Sequence, residues 1–269
     1  MNSSTILYLI SGLVFGYIVS TLIESIFHQK MSDAPRKSVS RWEKYRLLAP
    51  LVRANYSHHI IHHKKTFRHD YITQFRNTEE KKSLDGLLSR RGKYGKLIQD
   101  SNYANKLHGT GALSFIAPFL PMLIVLYFLS DLAFFIGFFI CSTISPLFNN
   151  YVHPYLHMKH SDAMALASPP MRWFLRTAYY RKMSVNHYLH HKYMVCNFNL
   201  MLGGDWLREQ CRILKKSERN MPKRRIYRSP FDEEMQDMQK LGLPVLIAKC
   251  AAPNLRTQEK KCCRKIASL

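Results

Sequence analysis

Apolar residues gather in two long runs, and the rest of the chain is polar. Thr5–Phe27 reads TILYLISGLVFGYIVSTLIESIF and holds a single charged residue, Glu24. A helix needs about 20 apolar residues to cross the hydrocarbon core of a bilayer, so this run predicts a membrane helix over 5–27. A cleaved signal peptide would need a positive leader and a small-residue cleavage site. The leader here is Met-Asn-Ser-Ser and no such site follows, so the helix is expected to be retained. The second run, 113–148, reads LSFIAPFLPMLIVLYFLSDLAFFIGFFICSTISPLF. At 36 residues it is too long for one ordinary span, and Ser130-Asp131 near its middle predicts a turn. The expectation is a helical hairpin over 113–148 with two short arms that enter the membrane and return. A hairpin buried in a soluble core is the alternative.

The intervening segments read as helical. Ala163–Ser184 mixes aromatic residues with Arg172, Arg176, Arg181 and Lys182, as an interfacial helix does, with Pro169-Pro170 near its start. Taken together, the pattern predicts an all-α integral membrane protein. It would have about three to four transmembrane or membrane-embedded helices in a domain over 1–207, a cytoplasmic helical cap carrying a histidine-rich site, and a basic tail over 208–269.

Charge sharpens this picture. The 269 residues carry 40 Lys plus Arg against 18 Asp plus Glu, a net charge of +22. Neither apolar run contains a Lys or Arg, so all the basic residues fall between Gln29 and Ala112 or after Asn149. One crossing plus one hairpin puts both basic segments on the same side, and the positive-inside rule makes that side cytoplasmic. The basicity then reads as membrane orientation and attraction to anionic headgroups, with no nucleic acid as partner. The expected location is a bacterial inner membrane or the endoplasmic reticulum. The six cysteines show no paired framework, and five lie on the reducing side, so thiols are expected.

The histidines carry the chemistry. Four of thirteen fall in HHIIHH, His58–His63, and NHYLHH, Asn186–His191, repeats the HxxHH spacing. At about 100° per residue on an α-helix, with His59 at zero, His62 falls at about 300° and His63 at about 40°. These three share a face, and His58 lies at its edge. His187, His190 and His191 repeat that geometry. A third set, His153, His157 and His160 in HPYLHMKH, shares a face if the helix is continuous. Pro154 biases the residue before it out of helical geometry, so His153 is expected just ahead of a helix start. Neutral imidazole is a metal ligand whose second nitrogen donates a positioning hydrogen bond. Eight facing histidines (His59, His62, His63, His153, His157, His187, His190 and His191) exceed what one ion takes and suit two. His69 and His108 stand apart and read as isolated histidines.

Boxes in this order, separated by a membrane hairpin, resemble the fatty acid hydroxylase and sterol desaturase superfamily of integral-membrane di-iron oxygenases. HIIHH at His59, HPYLH at His153 and HYLHH at His187 match three boxes of that family, and the resemblance covers about Ile23 to Leu207. In CNFNLMLGGDWL it points to Asn197 or Asn199 and to Asp205. The first box departs. His28 fits a family ligand, but Asp33 stands where the second histidine belongs. A carboxylate can replace an imidazole on iron, so Asp33, or Glu24 on the face of His28, would complete the set. The resemblance implies two non-heme iron ions and O₂ as co-substrate. It implies a membrane lipid such as an acyl chain or sterol as the molecule hydroxylated or desaturated, and a separate electron donor of cytochrome b5, ferredoxin or flavoprotein type. A metal-binding or metal-transport protein without catalysis is the competing reading.

The segregation of basic residues gives a test of topology. Tags near Lys81 and at Leu269 should both report the cytoplasmic side in protease protection, with the N-terminus on the other. Tags on opposite sides would break the hairpin.

Overall fold

The structure is a computed structural model that describes residues 2–106 and 116–213. Among the described residues every regular element is a helix. The basic run after Lys215 and the last three cysteines lie outside them.

Helix α1 spans Ser3–Phe27, and the Asn2 side chain caps it by accepting from the Thr5 amide at 2.9 Å. Its apolar residues surround the whole helix instead of forming one stripe, as in a helix bathed in lipid. It runs without a break into a π-turn, His28–Ser32, closed by a bond from the Asp33 amide to the His28 carbonyl at 2.8 Å. Together they form one helical unit, Ser3–Ser32, long and apolar enough to cross a membrane.

The expected turn is present at Ser130–Asp131. Helix α6, Leu120–Leu129, ends at Ser130, and Asp131 caps α7, Leu132–Leu156, by accepting from the Ala133 amide at 2.8 Å. The arms are unequal, however. The apolar helix before the turn, Ala117–Leu129, is too short to span a bilayer. α7 runs eight residues past the expected end. It counts as a second span only if Leu132–Ser145 and Asn150–Leu156, bent by 41°, are taken together. The sequence between those two pieces contains a proline, which lacks the N–H that the helical ladder needs. Of the three to four transmembrane or membrane-embedded helices expected from hydropathy, the described residues contain one helix of spanning length, or two with the bent one, besides the shorter Ala117–Leu129. His153 is also placed differently from expectation: it lies in the last turn of α7 and not ahead of a new helix. Pro154 removes one N–H from the ladder in that last turn.

α1 packs along α7 at very close range. A Cβ added to Gly12 would lie 2.1 Å from the Phe134 carbonyl oxygen, and one on Gly137 would lie 2.4 Å from that of Leu9. Only hydrogen fits between the two backbones at this crossing. The outward faces remain apolar and bare, with Phe128 75 % and Leu129 81 % exposed at the hairpin tip. Contiguous apolar surface of this kind marks contact with a membrane or another protein.

A helical cap closes the polar end. It consists of α2 (Arg36–Trp42), α3 (Ala49–Asn55), a long π-helix (Tyr56–Lys65), α4 (Thr78–Ser89) and α5 (Gly92–Asp100). Leu84 and Leu88 of α4, with Ile98 and Tyr103, pack on Ile61. The expected interfacial helix over 163–184 is instead divided among α8 (His160–Leu166), α9 (Pro169–Leu175) and α10 (Ala178–Tyr193). Pro169 starts α9, where a missing N–H does no harm. Thr177 caps α10 by accepting from the Tyr180 amide at 3.1 Å.

Widening the close crossing should separate the two long helices. Gly137→Leu is expected to destabilise the detergent-solubilised protein by about 1–3 kcal/mol, read as a lower midpoint in thermal unfolding. Gly86→Leu, where a Cβ meets nothing within 4 Å, should leave the midpoint nearly unchanged.

Candidate metal centre

The histidine face of the first HxxHH box is set by an unexpected backbone. Tyr56–Lys65 is a π-helix and not an α-helix. Its hydrogen bonds run from residue i to i+5, so each turn holds more residues and positions five apart become neighbours. His58 therefore moves onto the face of His62 and His63, with its Nε2 2.9 Å from Nε2 of His63. His59 rotates off that face and places Nδ1 3.1 Å from Oδ1 of Asp33. The α-helical expectation had these two roles reversed. Such π-segments occur often at functional sites.

Ten described side chains converge. Four imidazoles and a carboxylate (His28, Asp33, His58, His63 and His190) form one group, and His62, His153, His157 and His187 form a second. In each group one ligand atom per residue lies within 4.8 Å of all the others. His191 stands at the seam: its Nδ1 is 3.2 Å from Nδ1 of His63, and its Nε2 is 3.1 Å from Nε2 of His187. Each HxxHH box thus divides between the groups. Adjacent His62 and His63 go to different ones, as do His187 and His190.

Three of the rings are fixed by backbone carbonyls. Nδ1 donates to Asn105 from His153 at 2.9 Å, to Tyr71 from His157 at 2.8 Å, and to Cys196 from His190 at 3.0 Å. A carbonyl only accepts, so each of these rings carries a proton on Nδ1 and turns Nε2 inward. The segments that present these carbonyls contain residues in the left-handed region. Tyr71 has φ 63°, Ala104 before Asn105 has φ 64°, and Met194 and Asn197 around Cys196 have φ 55° and 57°. Strain of this sort persists where the surrounding structure enforces it.

The groups are short of protons. Oδ2 of Asp33 lies 3.2 Å from Nε2 of His190, yet it has no hydrogen-bond partner. Neither nitrogen of fully buried His62 has a partner. An unsatisfied buried polar group costs roughly 1–3 kcal/mol. Burial first, and then the neighbouring imidazoles, hold His62, His157, His187 and His191 well below the ordinary imidazole range. Burial likewise lowers His58 and His63, although Asp33 opposes it. Burial alone would raise the Asp33 carboxyl, but the imidazoles around it hold it well below the usual carboxylate range. Protons are therefore poor partners for this set, and a metal cation suits it. Two nitrogens held at right angles by one ion at about 2.1 Å lie about 3 Å apart. Nε2 atoms stand 2.8 Å apart between His28 and His58 and 2.9 Å apart between His157 and His187. The residues present fit two metal ions, with Asp33 as the single anionic ligand.

Other sequence candidates serve the frame and stand outside both groups. Glu24 accepts from the Leu200 amide at 3.0 Å and the Met201 amide at 3.3 Å, and Asn199 Nδ2 reaches it at 3.2 Å. Asp205 accepts from Ser25 and from the Asn199 amide, each at 2.6 Å. These bonds clamp the loop after α10 onto α1, which holds His28 against His190. Asn197 closes a turn by accepting from the Arg212 amide at 2.5 Å. His160 begins α8 and joins neither group. Asn55, which the sequence reading passed over, donates to the carbonyls of Ser32 at 3.0 Å and Ala34 at 3.2 Å, tying the Asp33 turn to the π-helix. No motif marks such a residue, because its partners are backbone atoms.

The π-helical register predicts unequal histidines. Protein purified in detergent and loaded with iron should carry two ions per chain by elemental analysis. His58→Ala and His62→Ala should each lose one. His59→Ala should keep both and bind them about 10–100-fold more weakly, as expected when a ligand's support is lost. Loss of an ion in His59→Ala, with two retained in His58→Ala, would contradict the register.

Comparison of the chain with protein-family models, curated proteins and solved structures finds no match, so the chemistry of the site rests on its own residues.

Proposed function

We propose that the protein is a membrane-bound di-iron oxygenase that hydroxylates or desaturates a lipid. One observation carries this reading. A cavity of about 230 Å³ is walled by His28 and His58 from the first group, by His153 and His187 from the second, and by apolar side chains such as Ile23, Phe27 and Phe119. A structural or storage metal site has no need of an apolar chamber opening on both ions, whereas an enzyme for hydrocarbon substrates does.

The residues divide the work. The imidazoles and Asp33 would hold two irons, which when bound supply the redox chemistry that side chains lack and that zinc cannot provide. The carbonyls of Asn105, Tyr71 and Cys196 keep the Nε2 atoms aimed inward. The apolar wall excludes water and positions a carbon–hydrogen bond beside the histidines. In hydroxylation one atom of O₂ enters that bond and the other leaves as water, with two electrons from a separate donor and two protons from solvent. The basic cytoplasmic surface is suited to dock an acidic donor protein. In desaturation the same hydrogen abstraction ends in a double bond. The bare apolar faces of α1, α6 and α7 support a bilayer location, with lipid entering the cavity from the side.

The test is turnover. Iron-loaded protein given membrane lipid extract, a reductant and O₂ should yield lipids heavier by one oxygen or lighter by two hydrogens, read by mass spectrometry. Zinc-loaded protein should yield neither. Tight metal binding with no oxygen uptake under any reductant would favour a metal carrier.

A further inference from the structure

Two polar atoms interrupt the apolar cavity, and no protein group satisfies them. Asn105 and Ser20 both line it, and Asn105 is 3 % exposed and Ser20 fully buried. Asn105 Oδ1 and Ser20 Oγ have no hydrogen-bond partner. Buried polar side chains are nearly always paired, so two orphans on one cavity wall need an explanation. Their positions differ. The Asn105 backbone carbonyl holds His153 at 2.9 Å, so its side chain sits one residue from the ligands. Ser20 stands two helical turns before His28 on α1, about 12 Å along the axis.

We infer that the part of this cavity lined by Asn105 is a subsite for a neutral hydrogen-bond donor, the hydroxyl or amide N–H of a lipid, with Asn105 Oδ1 as acceptor. The inference rests on the oxygenase reading for its substrate and deepens it. An asparagine amide torsion is broad. Oδ1 can therefore turn toward a bound molecule, and no existing hydrogen bond at that oxygen is broken. A pure hydrocarbon would leave it orphaned. A carboxylate offers only acceptors, and it would meet Glu24 in the same wall and Asp33 beside His28. Exposed Lys106 also lines the cavity, so an acid would pair with it and still leave Asn105 Oδ1 without a donor. The preferred substrate is then a long-chain lipid with an uncharged polar group, oxidised within a few bonds of that group.

The experiment is binding, not turnover. Iron-loaded full-length protein in detergent is titrated with ¹³C-labelled hexadecanol, hexadecanamide, hexadecane and hexadecanoate. Hexadecanol or hexadecanamide should bind at least about 10-fold tighter than the hydrocarbon and the acid, the effect of one satisfied buried acceptor. Asn105→Leu should erase that preference while keeping two irons, because the carbonyl that holds His153 survives the substitution. Asn105→Ala should do the same if the leucine variant does not fold. Equal binding of hexadecanol and hexadecane, strongest binding of hexadecanoate, or a preference that survives Asn105→Leu would each overturn the subsite. Oxidised products without this preference would leave the oxygenase reading standing and remove the subsite. The preference without any oxidised product would do the reverse.

Discussion

The structure depends on a set of neutral imidazoles packed so closely that their lone pairs face one another. Water is excluded by burial, and three rings donate an Nδ1–H to a backbone carbonyl. Such a cluster would fly apart if its rings were charged and is poorly satisfied if they are neutral. A cation at the focus of each group turns the same geometry from repulsive to attractive. Metal affinity and folding are coupled in such a centre, because the ligands come together only in the folded chain.

The surrounding architecture can be understood as support for that cluster. His28 comes from the end of α1 and His153 from the end of α7, so the helix pair sets their spacing, and Gly12 and Gly137 set the spacing of the pair. The Glu24 and Asp205 clamps fix the loop after α10 to α1, while Asn55 fixes the Asp33 turn to the π-helix. Buried carboxyl groups that accept hydrogen bonds from another segment act as fasteners, each bond contributing about 0.5–1.5 kcal/mol. They act at the seams between elements, where rigid helices alone would leave the ligands free to drift.

The same placement explains how an apolar molecule can reach a polar centre. The cavity is lined by α1 from Ser20 to His28, with apolar side chains such as Ile23 and Phe27 between them. The cap closes the other side, with α4 covering the back of the π-helix through Ile61.

Much of this was legible in the sequence, because the signals are local. Hydropathy marked α1 and the turn at Ser130-Asp131, and the spacing of the boxes marked eight of the nine histidines that the structure gathers in and between the two groups, His58 among them at the edge, while the family resemblance pointed to the ninth, His28. Asp33 was visible as a carboxylate at a ligand's spacing. What the sequence could not carry was anything that depends on which backbone bonds form. One residue more per turn in Tyr56–Lys65 exchanges His58 for His59, and no side chain announces a π-helix, because it is the surrounding packing that stabilises it. The division of each HxxHH box between two groups, the carbonyls that fix the tautomers, and the use of Glu24 and Asp205 as clamps all join residues far apart in the chain. The sequence by itself determined which ligands exist and where the apolar segments lie. Only the tertiary structure decided which lone pairs meet, because that follows from contacts between distant segments and not from spacing along one of them.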